Sequence, residues 1–146
     1  MKISYNWLQQ FLQIDWEASK TGELLTDLGL EARDRVLVCL KNSLAYPISF
    51  FGAIKAGIIA VPTSTLLSGS EVKYLAEDSQ ASAIVLSATM YDNLLPYLEN
   101  LDNLKTIIVA GIDSTDNLNI PKGMNVYSFS EILEKTDTKP NHYKSK

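Results

Sequence analysis

A single cysteine and a single histidine among 146 residues leave little for metal or nucleophilic chemistry. Cys39 falls in the middle of an apolar run, where a thiol acts as a small apolar filler, and a lone thiol fits a reducing cytoplasm. His142 stands in a polar tail, so neither a His/Cys metal-ligand set nor a Ser-His-acid set can be assembled around it. Positive charge is also short: 13 Lys and Arg against 17 Asp and Glu give a formal charge of −4. The basic residues are scattered rather than banked, so no nucleic-acid partner is expected. Neither G-x-G-x-x-G after a strand nor G-x-x-x-x-G-K-[ST] occurs, which removes both self-contained phosphate fingerprints. Long apolar runs are missing as well. Residues 44–62 approach the length of a membrane span but contain Pro47, Lys55 and Gly57 and change periodicity halfway, and Ile3-Ser4-Tyr5-Asn6-Trp7 offers no secretory apolar core. No membrane is expected as a partner. Adjacent carboxylates such as Asp15 with Glu17, or Glu77 with Asp78, read as solvated surface.

What is present is α/β alternation. Ile54-Lys55-Ala56-Gly57 followed by Ile58-Ile59-Ala60-Val61-Pro62 reads as a helix end, a glycine stop and a buried strand. With Arg35-Val36-Leu37-Val38-Cys39-Leu40 upstream and a helix over residues 44–56 between, this makes a βαβ unit, capped at Asn42 or Ser43. Gly57 is predicted to take positive φ. Ser68-Gly69-Ser70-Glu71 has capping-box spacing ahead of another helix; residues 83–86 and 104–109 read as further strands. Between them Thr89 and Asp92 suggest a cap, and Pro96 a kink. Residues 125–128 suggest a short strand and residues 130–135 a last helical turn. Near the amino terminus, Ile3, Trp7, Leu8, Phe11 and Leu12, then Leu24, Leu25 and Leu28 before Gly29, give two amphipathic helices.

The expected fold is therefore α/β: a parallel sheet of about four strands with covering helices, preceded by an amino-terminal helical hairpin. Its divisions are residues 1–31 for the hairpin, 32–135 for the α/β unit and 136–146 for a mobile tail. Parallel sheets bind ligands beyond the carboxyl ends of their strands, which here are Lys41-Asn42-Ser43, Pro62-Thr63-Ser64 and Ser87. Ser43, Thr63, Ser64 and Ser87 are thus candidate substrate-binding residues of a small polar cleft, and equally candidates for plain caps and turns. No catalytic residue and no metal ligand can be nominated.

Two family resemblances rest on particular residues. Asp34-Arg35-Val36, Asn42-Ser43, Phe50-Phe51-Gly52-Ala53-Ile54-Lys55-Ala56-Gly57, Val61-Pro62, Leu66-Leu67, and Tyr74-Leu75 to Glu77-Asp78-Ser79 resemble the amino-terminal part of adenylate-forming acyl- and aryl-CoA ligases. That resemblance implies an enzyme activating a carboxylate with ATP and Mg and passing the acyl group to CoA. It also implies that this chain alone holds none of these cofactors and is inactive, because the Ser/Thr/Gly-rich phosphate loop lies further along in the family. Its partner would be the remainder of a ligase domain or another protein. Met1-Lys2-Ile3-Ser4-Tyr5-Asn6-Trp7-Leu8, Lys20-Thr21-Gly22 and residues 24–31 resemble the opening of the β subunit of bacterial phenylalanyl-tRNA synthetase, an accessory helical region. Leu28-Gly29-Leu30-Glu31 suits both families, so a junction of two unrelated chains is expected there. The alternatives to a ligase portion are an interaction module related to that subunit and an independent small-molecule binding domain.

Overall fold

Val36, Leu37, Val38 and Cys39 point alternately to opposite faces of one strand, yet all four are wholly buried. Only a strand covered on both sides allows this, and a parallel sheet flanked by helices is the usual arrangement that provides such cover. The structure, a computed structural model, describes Glu23 and residues 25–135, with backbone alone at Lys135. The hairpin expected over residues 1–31 lies outside the described residues except near its end, where residues 25–27 are helical; the tail of residues 136–146 lies outside entirely.

The chain runs β1 (Arg35–Cys39), α1 (Ala45–Lys55), β2 (Ile59–Pro62), α2 (Gly69–Asp78), β3 (Ala83–Ser87), α3 (Ala88–Leu98), β4 (Thr106–Ala110), β5 (Asn125–Ser128) and α4 (Phe129–Lys135). The sheet has five strands rather than about four, in the order β2-β1-β3-β4-β5, every pairing parallel. The additional strand is Asn125–Ser128, short in sequence but held by full register from Thr106↔Asn125 to Val109↔Ser128. One face packs Leu37, Ile84, Leu86, Ile107 and Val109 under α2 and α3. The other packs Val36, Val38, Val85 and Ile108 under α1, α4, Leu25 and Leu30.

Helices enter strands by one repeated device. After α1, Gly57 N–H donates to Ile54 O (3.1 Å) and Ile58 N–H to Ala53 O (2.8 Å), with Gly57 at φ 74. After α2, Gln80 N–H donates to Glu77 O and Ala81 N–H to Ala76 O, with Gln80 at φ 51. Before β1, Gly29 N–H reaches Thr26 O and Leu30 N–H reaches Leu25 O. These are Schellman closures, in which a left-handed residue returns its own amide and the next one to the helix's last carbonyls. In each, the residue after the turn (Ile58, Ala81, Leu30) is buried. Arg35 supports the second: its Nε donates to Ser79 O and its Nη2 to Gln80 O, both at 2.7 Å.

Helix starts depart from expectation. Neither Asn42 nor Ser43 caps α1, because the helix begins after them at an N-cap Leu44 without a side-chain cap; Pro47 falls within the first turn, where its missing N–H has no intrahelical acceptor to lose. The N-cap of α3 is Ser87, not Thr89, and those two hydroxyls pair with each other at 3.0 Å. Pro96 lies inside α3 without ending it, on the solvent side, where the carbonyl it leaves unbonded can meet water. The capping box at Ser68 and Glu71 forms as expected. Gly69 beside it is required by a close approach, since a Cβ there would collide with the Tyr97 ring. At the sheet margin, Ile59 and Thr63 amides donate to Asp34 and Val38 carbonyls, so Pro62, which has no amide hydrogen, sits on the outward register of edge strand β2.

Gly57→Val places a β-branched residue at positive φ with Ala32 Cβ 3.4 Å from the new Cβ. The expected loss is about 2 kcal/mol, read as a clear drop in melting temperature; an unchanged melt would mean the α1 stop is not strained. Glu71 accepts from the Ser68 hydroxyl and backbone amide, and these bonds hold its carboxyl below the usual range. A depressed pKa stabilises the fold above the unfolded-state value and the benefit is lost as pH falls through the folded one. Urea unfolding of Glu71→Gln should therefore fall short of the parent at pH 7, with the gap closing as pH falls through and below the usual carboxylate range; a constant gap would refute the capping role of the charge.

Candidate functional site

From β1 the chain crosses through α1 to β2 on one side, and the later strands lie on the other side of β1. The reversal places a topological switch point between β1 and β3, where sheets of this strand order leave a crevice beyond the carboxyl ends. Ser43 follows β1, Ser87 ends β3, and Thr63 and Ser64 follow β2, so all four candidates share the edge of three neighbouring strands.

Each of the four also has a local structural task. Ser43 O accepts from Tyr46 N–H at 3.2 Å and turns the chain into α1. Thr63 is buried; its amide extends the ladder to Val38 O, and its hydroxyl donates to Val61 O at 3.1 Å. The Ser64 hydroxyl accepts from Leu66 N–H at 3.2 Å, and Ser87 pairs with Thr89. These hydroxyls carry no charge, but the edge is not inert: α1 and α3 both start here without side-chain caps, and helix amides of that kind favour anions. Lys41, in the loop after β1, is exposed. Among the described residues no group of three or more His, Cys, Asp or Glu could hold a metal ion.

Two features are not legible as site features in the sequence. Thr89 joins the edge because the helix begins at Ala88, and its hydroxyl meets that of Ser87. A polar cleft of about 170 Å³ lies at the opposite, amino end of the sheet, lined by residues that include Glu77, Gln80, Asn100 and Asp102. The carboxyl edge is the better candidate despite that cleft, because it carries the switch point and the helix amides. Cys39 takes no part in either. Its thiol is buried, pushed up by desolvation, and directed at Ser64 O at 3.8 Å. The buried Tyr91 hydroxyl donates to Asn119 O at 2.7 Å, tying the loop before β5 to α3; burial and the Asp92 charge raise its pKa.

A doubly covered parallel sheet with a switch point between β1 and β3 defines a doubly wound α/β domain. Comparison with known proteins makes this specific: the AMP-binding enzyme family matches residues 8–143, and the chain belongs to that family. It is 34% identical over 120 residues to the benzoate–CoA ligase of Thauera aromatica, covering 82% of this chain and 22% of the relative. A 4-hydroxybenzoate–CoA/benzoate–CoA ligase of Rhodopseudomonas palustris is 34% identical over 93 residues, 64% of this chain and 17% of the relative. Among solved structures, a benzoate CoA ligase from Burkholderia xenovorans superposes with a TM-score of 0.62 at 26% identity, over 80% of this chain and 21% of the other. An anthranilate CoA ligase in complex with anthranoyl-AMP gives 0.60 at 30% identity, over 63% and 18%. The chain thus spans about a fifth of the length of these relatives and corresponds to the amino-terminal part of acyl- and aryl-CoA ligases. The family match also runs across residues 28–31, where the sequence suggests a junction between two families, and takes in most of the expected leader.

Because Cys39 is both desolvated and enclosed, native protein at pH 8 should react with a thiol reagent far more slowly than urea-unfolded protein. Equal rates would show that the β1 end opens readily.

Proposed function

We propose that the chain serves as the amino-terminal portion of an adenylate-forming ligase that joins an aromatic carboxylate to CoA, and that by itself it does not activate the acid. The observation that carries this is the family match over residues 8–143 combined with a span of about a fifth of the benzoate–CoA ligase relatives. The aromatic acid follows from the names of those relatives. A cytoplasmic location belongs to the same reading, in keeping with a single buried thiol; among the described residues no helix is long and apolar enough to cross a membrane.

ATP, Mg and CoA would serve the completed enzyme. In this reading the carboxyl edge contributes hydroxyls, helix amides and the exposed Lys41, and the remaining contacts to a triphosphate and its Mg come from elsewhere in the enzyme. No chemical step is therefore assigned to these residues. Their part is to build and support the sheet edge. The test is adenylation: purified chain with benzoate, ATP and Mg should release no pyrophosphate above background, and measurable pyrophosphate release dependent on the acid would overturn the reading.

A second reading, an independent small-molecule site at the carboxyl edge, is favoured by the two helix starts without side-chain caps flanking β1 and β3. It requires saturable calorimetric binding of ATP or an acyl-adenylate analogue that Thr63→Tyr abolishes; absence of heat at about 1 mM ligand removes it. The synthetase-like reading of residues 1–31 rests on their sequence alone, and would need stable association with a synthetase α subunit.

A further inference from the structure

The last crossover of the sheet is built differently from the others. β1 passes to β2, β2 to β3 and β3 to β4 through α1, α2 and α3, whereas residues 111–124 carry the chain from β4 to β5 without a helix. A helix closes its own backbone bonds, and parallel strands ordinarily use one to cross over. Here two turns close within the segment, Leu118 N–H donating to Thr115 O at 3.0 Å and Met124 N–H to Pro121 O at 3.2 Å. Side chains from outside tie it to the body: the Tyr91 hydroxyl of α3 donates to Asn119 O and the Ser128 hydroxyl of β5 to Ile112 O, each at 2.7 Å. Ile112 and Leu118 pack against the core under α2 and α3 while staying partly exposed. Gly111 and Gly123 mark the two ends, at φ 91 and φ 83. Few buried apolar contacts and few bonds to the body are the marks of a segment that opens ahead of the rest.

We propose that residues 111–124 are a strap that opens as one unit about Gly111 and Gly123 while the sheet stays folded, and that the Tyr91 hydroxyl is its latch. Of the two ties, the Ser128 bond falls on Ile112, next to the Gly111 hinge, where opening moves the chain least. The Tyr91 bond falls on Asn119, well inside the segment, and no opening leaves it intact. Tyr91 is fixed for this task, since its side chain is wholly buried in the core, whereas Asn119 lies at the surface and its carbonyl can turn to water when released. Opening lifts Leu118 off the core that holds Ile107, Val109 and Val126 and bares apolar surface that the closed form covers.

The experiment is amide hydrogen exchange of the full chain followed by nuclear magnetic resonance, with the Leu118 amide reporting the strap and the amides of Ile107, Ile108 and Val109 reporting the sheet. In the parent, Leu118 should exchange faster than the sheet amides and respond little to low urea, because its opening exposes little surface. Tyr91→Phe keeps the ring and removes only the donor, and should speed Leu118 exchange about fivefold. Gly57→Val is strained in the closed and strap-open forms alike and relieved only by global unfolding, so it should speed exchange of the sheet amides and leave Leu118 unchanged. Circular dichroism checks that both variants are folded. Leu118 accelerating in step with the sheet in Gly57→Val would mean that the segment opens only with the whole domain, which overturns the strap. Unchanged Leu118 exchange in Tyr91→Phe overturns the latch. Parent exchange at Leu118 with the rate and urea dependence of the sheet overturns both without recourse to a variant.

Discussion

A strand buried on both faces cannot tolerate loose ends beside it, so the structure depends on how each helix is closed before the chain dives under the sheet. The last carbonyls of a helix have no intrahelical donors. At the ends of α1, of α2 and of the helical turn before β1, a left-handed residue swings its own amide and the next one back onto those carbonyls. The residue that follows each turn is then buried with its backbone already satisfied. Cost falls unevenly: Gly29 and Gly57 take positive φ without a Cβ, whereas Gln80 takes it with a full side chain. There the guanidinium of Arg35 binds the carbonyls of Ser79 and Gln80, fastening the start of β1 to the end of α2.

The carboxyl edge follows from the same arrangement. With β2 and β3 on opposite sides of β1, the three loops carrying Ser43, Thr63, Ser64 and Ser87 must emerge side by side. The hydroxyls of Thr63, Ser64 and Ser87 are already engaged locally, so the chemistry left to this edge is mainly that of backbone amides at two helix starts. Beside those amides the edge presents only neutral hydroxyls and the exposed Lys41 among the described residues.

Most of this architecture is legible in the sequence. β1 and β3 announce themselves as short β-branched runs because buried parallel strands have no polar face to interrupt them; β2 reads the same way, yet as an edge strand it leaves Ile59 and Pro62 exposed, and the burial expected of it holds only for Ile58 just before it. Gly57 and the Ser68–Glu71 box are legible because each encodes one local geometry. β5 is harder, since only Val126 and Ser128 of its four residues are buried and its identity comes from pairing with β4, a contact remote in sequence. Helix starts are misplaced for a related reason: Asn42, Ser43 and Thr89 are good caps by type, but packing of α1 and α3 on the sheet fixes where those helices begin. The candidate site is legible only as a location. Nothing in a serine or threonine distinguishes a turn hydroxyl from a ligand contact, and Thr89 becomes part of the edge through the register of α3.

Pro62 makes the two margins of the sheet unequal. Its position on the outward register of β2 removes a donor from that margin, while β5 at the far side is made of residues with ordinary amides. A strand arriving from elsewhere would find one margin with a missing rung and the other with a continuous ladder. The Pro62 ring thus makes the β2 margin a poorer template for a further strand than a margin with every amide in place.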